Sequence, residues 1–437
     1  MRRPFLTRRL VEHVTLGTAA FALSGAFVRF FASGQDTATS GDKRVEMVLA
    51  FFYAAVFLVG FIHLKQTLRA ALRAPALFGL LALACASALW ANLPGFVLRR
   101  AVGVAGASLV GLVLASRLTI DEQLEVLRRI FRIATALSVA VWALSLAGIN
   151  LAVMGTSSNS VAGDAEAGAL RGIFEHKNGL GAVMALAILV EWHLPVHSVR
   201  ARNVKALWLA AYGALLVFSN SATALVAVVG TLLLMHAVRA FRYQYGLLVP
   251  TLSIIGLFSG TFFVLNRDSL MGLLGRSADL TGRSDLWHWV TVMILKRPWL
   301  GYGFSGFWRG ASDQSGVVEA HIGWSPVYSH NGYLEILLSL GFVGLALFAW
   351  VAGIGIWRAL VRAKSARSIE DLWPLAFMVF FLIHNLAECT ILLQNNLEWA
   401  LCVAVVVGSS PSLQTSAEAD VPDSGPDIML SASEEYA

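Results

Sequence analysis

About a dozen apolar runs punctuate this chain, each close to the roughly 20 residues an α-helix needs to cross about 30 Å of hydrocarbon. Helices satisfy their backbone hydrogen bonds internally, so the pattern predicts an all-α polytopic membrane protein of about twelve transmembrane helices. The runs fall near 13–32, 45–64, 74–91, 97–115, 130–152, 178–194, 203–219, 222–238, 244–265, 332–356, 372–388 and 392–409. Composition agrees. Of 437 residues, 57% are hydrophobic and 14% charged, where a soluble domain carries about 25% charged residues. The net charge of +6 comes from short basic clusters between apolar runs, with no basic helix or stripe, which argues against a nucleic-acid partner. Cys85, Cys389 and Cys402 lie in or near apolar stretches without metal-ligand or CxxC spacing, so neither a disulfide framework nor a zinc site is expected.

Charge orients the runs. With the N-terminus cytoplasmic, every inside connector is basic, from Arg2, Arg3, Arg8 and Arg9 through Arg117, Arg128, Arg129 and Arg132 to Arg358, Arg362, Lys364 and Arg367. The positive-inside rule then places both termini in the cytoplasm. The basic start could also be read as a signal peptide. A retained first span is preferred, because another membrane run follows and no small-x-small cleavage site leads into a soluble domain. Residues 1–409 are thus read as one transmembrane domain, and 410–437 as a disordered tail whose only charges are acidic.

Two outside segments, 153–177 and 266–331, exceed ordinary connectors and are long enough to do chemistry. The larger holds Trp287, Trp289, Trp299, Trp308 and Trp324, so it is expected to fold, with helical pieces such as 285–295. The first segment ends in Arg171, His176, Lys177 and Asn178 at the mouth of a span. A helix N-terminus there suits an anion; equally, the two cations could snorkel to lipid phosphates. Arg283 could grip a phosphate bidentately, or pair with Asp285 or Asp279. His330 and Asn331 open the run 332–356. The positive end of a helix favours a neutral imidazole able to take a proton; the bland alternative is a polar anchor at the lipid interface. His384, Asn385 and Glu388 end another run on the same side and either support a site or bond between helices. These groups all fall on one predicted side. Two cation sites beside a neutral base suit an anionic lipid-pyrophosphate donor and a hydroxyl acceptor.

Gly301, Gly303 and Gly306 match GxGxxG, but no βαβ context surrounds them, so a turn after Pro298 is expected. Gly341 and Gly344 are read as allowing close helix packing.

Four stretches carry a resemblance. They are Arg171 to Gly181 (RGIFEHKNGLG), Gly282 to Trp287 (GRSDLW), Arg297 to Gly303 (RPWLGYG) and His330 to Glu335 (HNGYLE). In this order they resemble the O-antigen ligase and Wzy polymerase superfamily, most of all its ExoQ-type exopolysaccharide polymerases. His330-Asn331, nine residues, then Gly341-x-x-Gly344 matches that family's HNx9GxxG pattern. The motif similarity spans about 170–345.

The resemblance implies a GT-C-like glycosyltransferase of the bacterial inner membrane, working on the periplasmic face. Its substrate would be an undecaprenyl-pyrophosphate-linked saccharide. Arg171 and Arg283, with Lys177, would engage the pyrophosphate. His330 would be the base or would orient the acceptor. His176, Asn178, Asn331 and Glu388 are supporting candidates. No cofactor and no metal are expected, since no Asp-rich motif is present and arginines can replace the cation. The leading reading is polymerisation of repeat units, with a chain-length-regulating copolymerase as a candidate partner. A ligase that transfers polysaccharide to lipid A core is the first rival. A lipid-linked-sugar flippase is the rival of another class; such transporters bind at the midplane between repeats, whereas the ionisable groups here gather outside.

Overall fold

The structure, a computed structural model, describes residues 2–26, 28, 43–148, 151–154, 168–240, 283–308 and 314–408. The run 244–265, residues 155–167 of the first outside segment, 266–282 with Asp279 and Gly282, and the acidic tail lie outside the described residues. The helices are α1 Arg2–Leu23, α2 Lys43–Ile62, α3 Leu64–Ala71, α4 Pro75–Ala86, α5 Pro94–Arg117, α6 Ile120–Leu146 and α7 Lys177–His193. They continue as α8 Val199–Phe218, α9 Ala222–Ala240, α10 Arg283–Lys296, α11 Ser315–Ile322, α12 Gly332–Lys364, α13 Trp373–His384 and α14 Leu397–Gly408. Strands are absent among the described residues, apart from one isolated bridge between Val153 and Leu170.

Five helices, α2, α5, α6, α9 and α12, are long and apolar enough to cross a membrane. A sixth span results if α3 and the segment Pro75–Leu89, bent by 87° at their junction, count together. Among the described residues this is fewer full-length spans than the runs found there, the run 244–265 lying outside them. For the runs that are described, the difference is physical. α13 and α14 have 12 residues each, about 18 Å at 1.5 Å per residue, too short to span alone. The non-helical segment 385–396 lies between them. The run read as 130–152 is instead α6, which starts at Ile120 and ends at Leu146. The sequence reading trimmed its charged first turns, but these are stabilised. Thr119 and Glu122 form a reciprocal capping box, and Arg9 pairs with Glu122 at 3.4 Å.

One large apolar core joins α1–α9 and α12–α14. α5 and α14 approach closely because Gly111 meets the Ala400 carbonyl, where a Cβ would overlap it. Trp399 seals the contact by donating to Ser108 Oγ at 2.8 Å. A second core lies over the start of α12. Leu286, Val290, Tyr302, Phe307, Trp308 and Val318 gather there on Leu338, with Trp287, Trp289 and Trp324 packed against them. The described part of the larger outside segment is therefore a folded layer, with α10 covering the stretch expected to be helical.

Charged pairs separate into two ends of the bundle. His63 and Arg117 hold the buried Glu12 at 2.9 and 3.1 Å, Arg132 holds Glu191 at 2.8 Å, and Arg362 holds Asp371 at 2.7 Å. Arg117, Arg132 and Arg362 are among the cations read as inside, while His63 and Glu191 sit at the inner ends of the runs 45–64 and 178–194. Arg99 pairs with Glu46, and Arg283 with Glu388, at the end read as outside.

The two glycine motifs prove to be one device. α12 is broken at Gly341, which has φ 65° and ψ −164°. The break frees carbonyls one turn earlier, and the turn after Pro298 takes them. Tyr302 N–H donates to Leu338 O at 2.9 Å, and Gly303 N–H to Ser339 O at 3.0 Å. In return Phe342 N–H donates to Pro298 O at 2.8 Å. A Cβ on Gly301 would stand 2.6 Å from Leu338 O, and one on Gly341 would overlap the Trp299 carbonyl. Gly341 thus permits loop-to-helix pairing, not the helix packing its motif suggested, and Gly344 makes room for the Leu340 side chain in the same bend.

Gly341→Ala should cost about 1–3 kcal/mol from backbone strain alone, before the overlap is added. Gly353→Ala in the same helix has open space and should be neutral. Thermal unfolding of both variants in detergent checks this; equal melting temperatures would contradict the interlock.

Candidate functional site

The end of the bundle that carries the four motifs is organised by one buried amide. Asn385 follows the last residue of α13 and is fully buried. Its Nδ2 donates to Phe381 O at 2.8 Å and to Thr390 Oγ1 at 2.7 Å. Its Oδ1 accepts from the N–H groups of Thr390 at 2.8 Å and Ile391 at 3.1 Å. Its own carbonyl accepts from Gly332 N–H at 2.9 Å. Gly332 is the first residue of α12, and a Cβ there would overlap Asn385 Oδ1. The irregular turn between the half-length helices is thereby fastened to the HN motif.

Asn331 is the N-cap of α12. Its Oδ1 accepts from Tyr333 N–H at 3.0 Å and Leu334 N–H at 3.1 Å. Its Nδ2 donates to Leu386 O at 3.0 Å, and its N–H to Cys389 Sγ at 3.1 Å. His330 therefore lies one residue before the cap, in a left-handed conformation with φ 53°. A non-glycine residue there is strained and must be held by its neighbours. They do so: Ser329 N–H donates to Glu335 Oε2 at 2.9 Å, and Ser329 O accepts from Trp287 Nε1 at 2.9 Å. Trp308 Nε1 donates to the same Glu335 carboxylate at 3.0 Å. The His330 ring packs against Tyr328 at a tilt of 53°, with centroids 4.3 Å apart.

Glu388, in the turn after Asn385, gathers the other motifs. Asn178 Nδ2 donates to its Oε1 at 2.7 Å. Arg283 pairs with the same oxygen at 3.7 Å and donates to Ala387 O at 2.9 Å. Glu388, not Asp285, is thus the carboxylate that Arg283 pairs with, through an ion pair, while one of its N–H donors is hydrogen-bonded to Ala387 O. His176 caps α7, its Nδ1 accepting from Asn178 N–H at 3.3 Å, which leaves the ring proton on Nε2. Lys177 is the first residue of that helix. Arg171 is half-buried; its N–H donates to Ala152 O at 2.8 Å, and burial lowers its guanidinium from the ordinary value against the pull of nearby Glu175.

Two adjoining cavities lie here. The larger, about 400 Å³, is lined among others by Glu175, Trp308, Tyr328, Glu335, Glu388 and Gln394. The smaller, about 140 Å³, includes His176, Asn178, Tyr328, His384 and Glu388. Tyr328 and Glu388 form part of both walls. The structure thus joins Asn178, Arg283 and Glu388 directly. It joins Asn331 to them through Leu386 and Cys389. His330, Arg171, Lys177 and Arg283 are not lining residues of either cavity; His330 lies next to them through Tyr328, and Lys177 through its place in α7. The sequence reading missed Glu335, Tyr328 and Trp308 as cavity residues, and it counted Gln394, Asn395 and Asn396 into an apolar span. That polar triplet was the available signal.

A family model described as O-antigen ligase, Wzy_C, matches residues 206–349. This includes Arg283, His330 and Asn331 and excludes Arg171 to Asn178 and Glu388. The chain is 28% identical over 230 residues to the exopolysaccharide production protein ExoQ of Rhizobium meliloti (strain 1021), covering 48% of this chain and 50% of that one. It is 36% identical over 69 residues to a putative polysaccharide ligase of Rickettsia prowazekii (strain Madrid E), covering 15% of this chain and 17% of that one. A putative polysaccharide ligase of Rickettsia conorii is 38% identical over a stretch of the same length. The chain therefore spans about half the length of its ExoQ relative and far less of the ligases. The similarity runs to the superfamily that the four motifs indicated, with an ExoQ-like relative.

Asn385→Ala removes both ends of a buried side-chain network and leaves several partners unmade. A loss of about 2–4 kcal/mol is expected, from a desolvation penalty of about 1–3 kcal/mol for each orphaned group with partial relaxation. Thr390→Ala, which removes one partner, should cost about 1 kcal/mol. Unfolding in detergent measures both, and an Asn385→Ala variant as stable as wild type would refute the role given to this amide.

Proposed function

We propose that this relative of the O-antigen ligase and Wzy superfamily is a membrane glycosyltransferase that polymerises undecaprenyl-pyrophosphate-linked oligosaccharide repeats on the periplasmic face of an inner membrane. The observation that carries the reading is the convergence on Glu388. Asn178 from the mouth of α7, Arg283 from the start of α10 and the turn that holds Asn331 meet there, beside a cavity of about 400 Å³. Three segments distant in sequence, each carrying one of the motifs, come together only at this place.

In this reading Arg283 and Arg171, with Lys177, hold the donor pyrophosphate. A phosphate entering beside Arg283 exchanges with Glu388 for its N–H donors, so the buried cation is never left without an anion. The acceptor hydroxyl attacks the anomeric carbon, the bond from that carbon to the pyrophosphate oxygen breaks, and the lipid pyrophosphate leaves. His330 takes the hydroxyl proton or orients the acceptor. His176, Asn178, Asn331 and Glu388 hold these groups in place. No step calls for a cofactor or a metal. The transmembrane domain comprises residues 1–409, with both termini cytoplasmic, segments 153–177 and 266–331 periplasmic, and 410–437 a disordered cytoplasmic tail. The fold is GT-C-like, and a chain-length-regulating copolymerase is a candidate partner.

A ligase that transfers finished polymer to lipid A core is the second reading. The description of the matched family model and the Rickettsia relatives favour it. Purified protein incubated with the lipid-linked repeat unit of its host separates the two. Polymerase activity gives a ladder of repeats, reduced about a hundredfold or more in Arg283→Ala and His330→Ala. Transfer that occurs only after lipid A core is added identifies a ligase. No product from native substrate under either condition would defeat both readings.

A further inference from the structure

The opposite end of the bundle holds a cavity that the glycosyl-transfer reading does not use. It measures about 300 Å³ and lies where α6, the end of α7 and the start of α8 meet. Arg128, Arg132, Arg200 and Lys205 supply four cations to its wall, against the single carboxylate of Glu191. Arg132 neutralises one oxygen of Glu191 at 2.8 Å and stacks its guanidinium over the Trp208 ring at 5.3 Å. Glu125, outside the wall, pairs with Arg128 at 2.6 Å. Counting both carboxylates, the surroundings still carry two net positive charges.

Four further features sit around this charge. The 20-residue helix α8 begins in the cavity wall, with Ser198 as its N-cap, so its first N–H groups add to the positive field. Val196, Val199, Val204 and Leu207 leave an apolar track, 37%, 65%, 40% and 70% exposed, that starts at the cavity and runs along α8. Trp192, 42% exposed, stands at the end of α7 beside the cavity, its carbonyl accepting from Lys205 at 3.4 Å, and exposed indoles favour the boundary between headgroups and hydrocarbon. The second oxygen of Glu191, itself 1% exposed, has no hydrogen-bond partner.

We infer that this cavity is a binding site for the headgroup of an anionic phospholipid, with its acyl chain laid along the exposed apolar face of α8. The cations and the helix N-terminus take the phosphate. Glu191, 1% exposed, stays at the floor of the cavity with its charge taken up by Arg132, which leaves the other cations facing the headgroup. A free phosphate would use the cations but leave the apolar track and the tryptophans without a role. Basic pockets between membrane helices are recognised receptors for such headgroups. The inference rests on the chain being embedded in a membrane, not on the reaction at the other end.

Native mass spectrometry of the full chain, titrated with phosphatidylglycerol or phosphatidylcholine in detergent, tests it. Wild type should retain phosphatidylglycerol on the order of tenfold more tightly than phosphatidylcholine. In the double variant Arg128→Gln, Arg200→Gln that preference should vanish. Among the described residues Arg128 pairs only within its own helix and Arg200 with no other helix, so folding should survive, and a monodisperse profile with wild-type helicity checks this. Arg99→Gln, at the far end, should keep the preference. Equal retention of the two lipids by wild type, or an undiminished preference in the double variant, would overturn the assignment. So would inorganic phosphate alone protecting wild type as well as the lipid does, since that outcome makes the cavity a site for a free anion.

Discussion

Every irregular stretch of backbone at the motif-bearing end must satisfy its own hydrogen bonds, and Asn385 is where that constraint is met. A helix that stops short inside an apolar bundle exposes carbonyl and N–H groups that hydrocarbon cannot solvate. α13 stops after 12 residues, and α14 begins only at Leu397. The amide of Asn385 closes the turn between them, while its carbonyl holds the first N–H of α12. The placement of Glu388 against Asn178 and Arg283, and of Asn331 against Leu386, follows from that single fastening. Non-helical backbone at such depth is tolerated where it lines a cavity, and residues of this turn line both cavities here.

The break in α12 obeys the same rule by a different route. Gly341 takes a conformation reserved for glycine, and the backbone after Pro298 supplies the bonds that the helix gives up. The exchange ties the tryptophan-rich layer to the membrane helices, so Trp308 and Trp287 reach Glu335 and Ser329 with fixed geometry. His330 is held in its strained conformation from that layer on one side and from the Asn385 turn on the other. Strain of this kind persists only when the surroundings over-determine it.

The two ends of the bundle handle charge differently. At one end Arg283 is partly buried beside Glu388, at an ion-pair distance of 3.7 Å. At the other, Glu12 and Glu191 are almost fully buried and fixed by arginines of neighbouring helices, which tie α1, α5, α6 and α7 together. A buried pair is costly to break, because the charge left behind has no solvent. The first arrangement suits exchange of ligands. The second suits a fixed scaffold, with spare cations at its rim.

The sequence by itself determined the apolar solvent and the helical class, through apolar runs of the right length separated by basic connectors. It also picked out the four motifs that carry the resemblance, because their residue types are uncommon beside apolar helices. It did not reveal that α13 and α14 are half-length, since hydropathy averages over Gln394, Asn395 and Asn396 and cannot see a turn held by side chains. Nor did it pair Arg283 with Glu388 or Gly341 with Trp299. Those contacts join residues far apart in the chain, and their geometry depends on which helices lie side by side. Tertiary structure alone decided that, because the buried backbone had to find its hydrogen-bond partners wherever packing placed them.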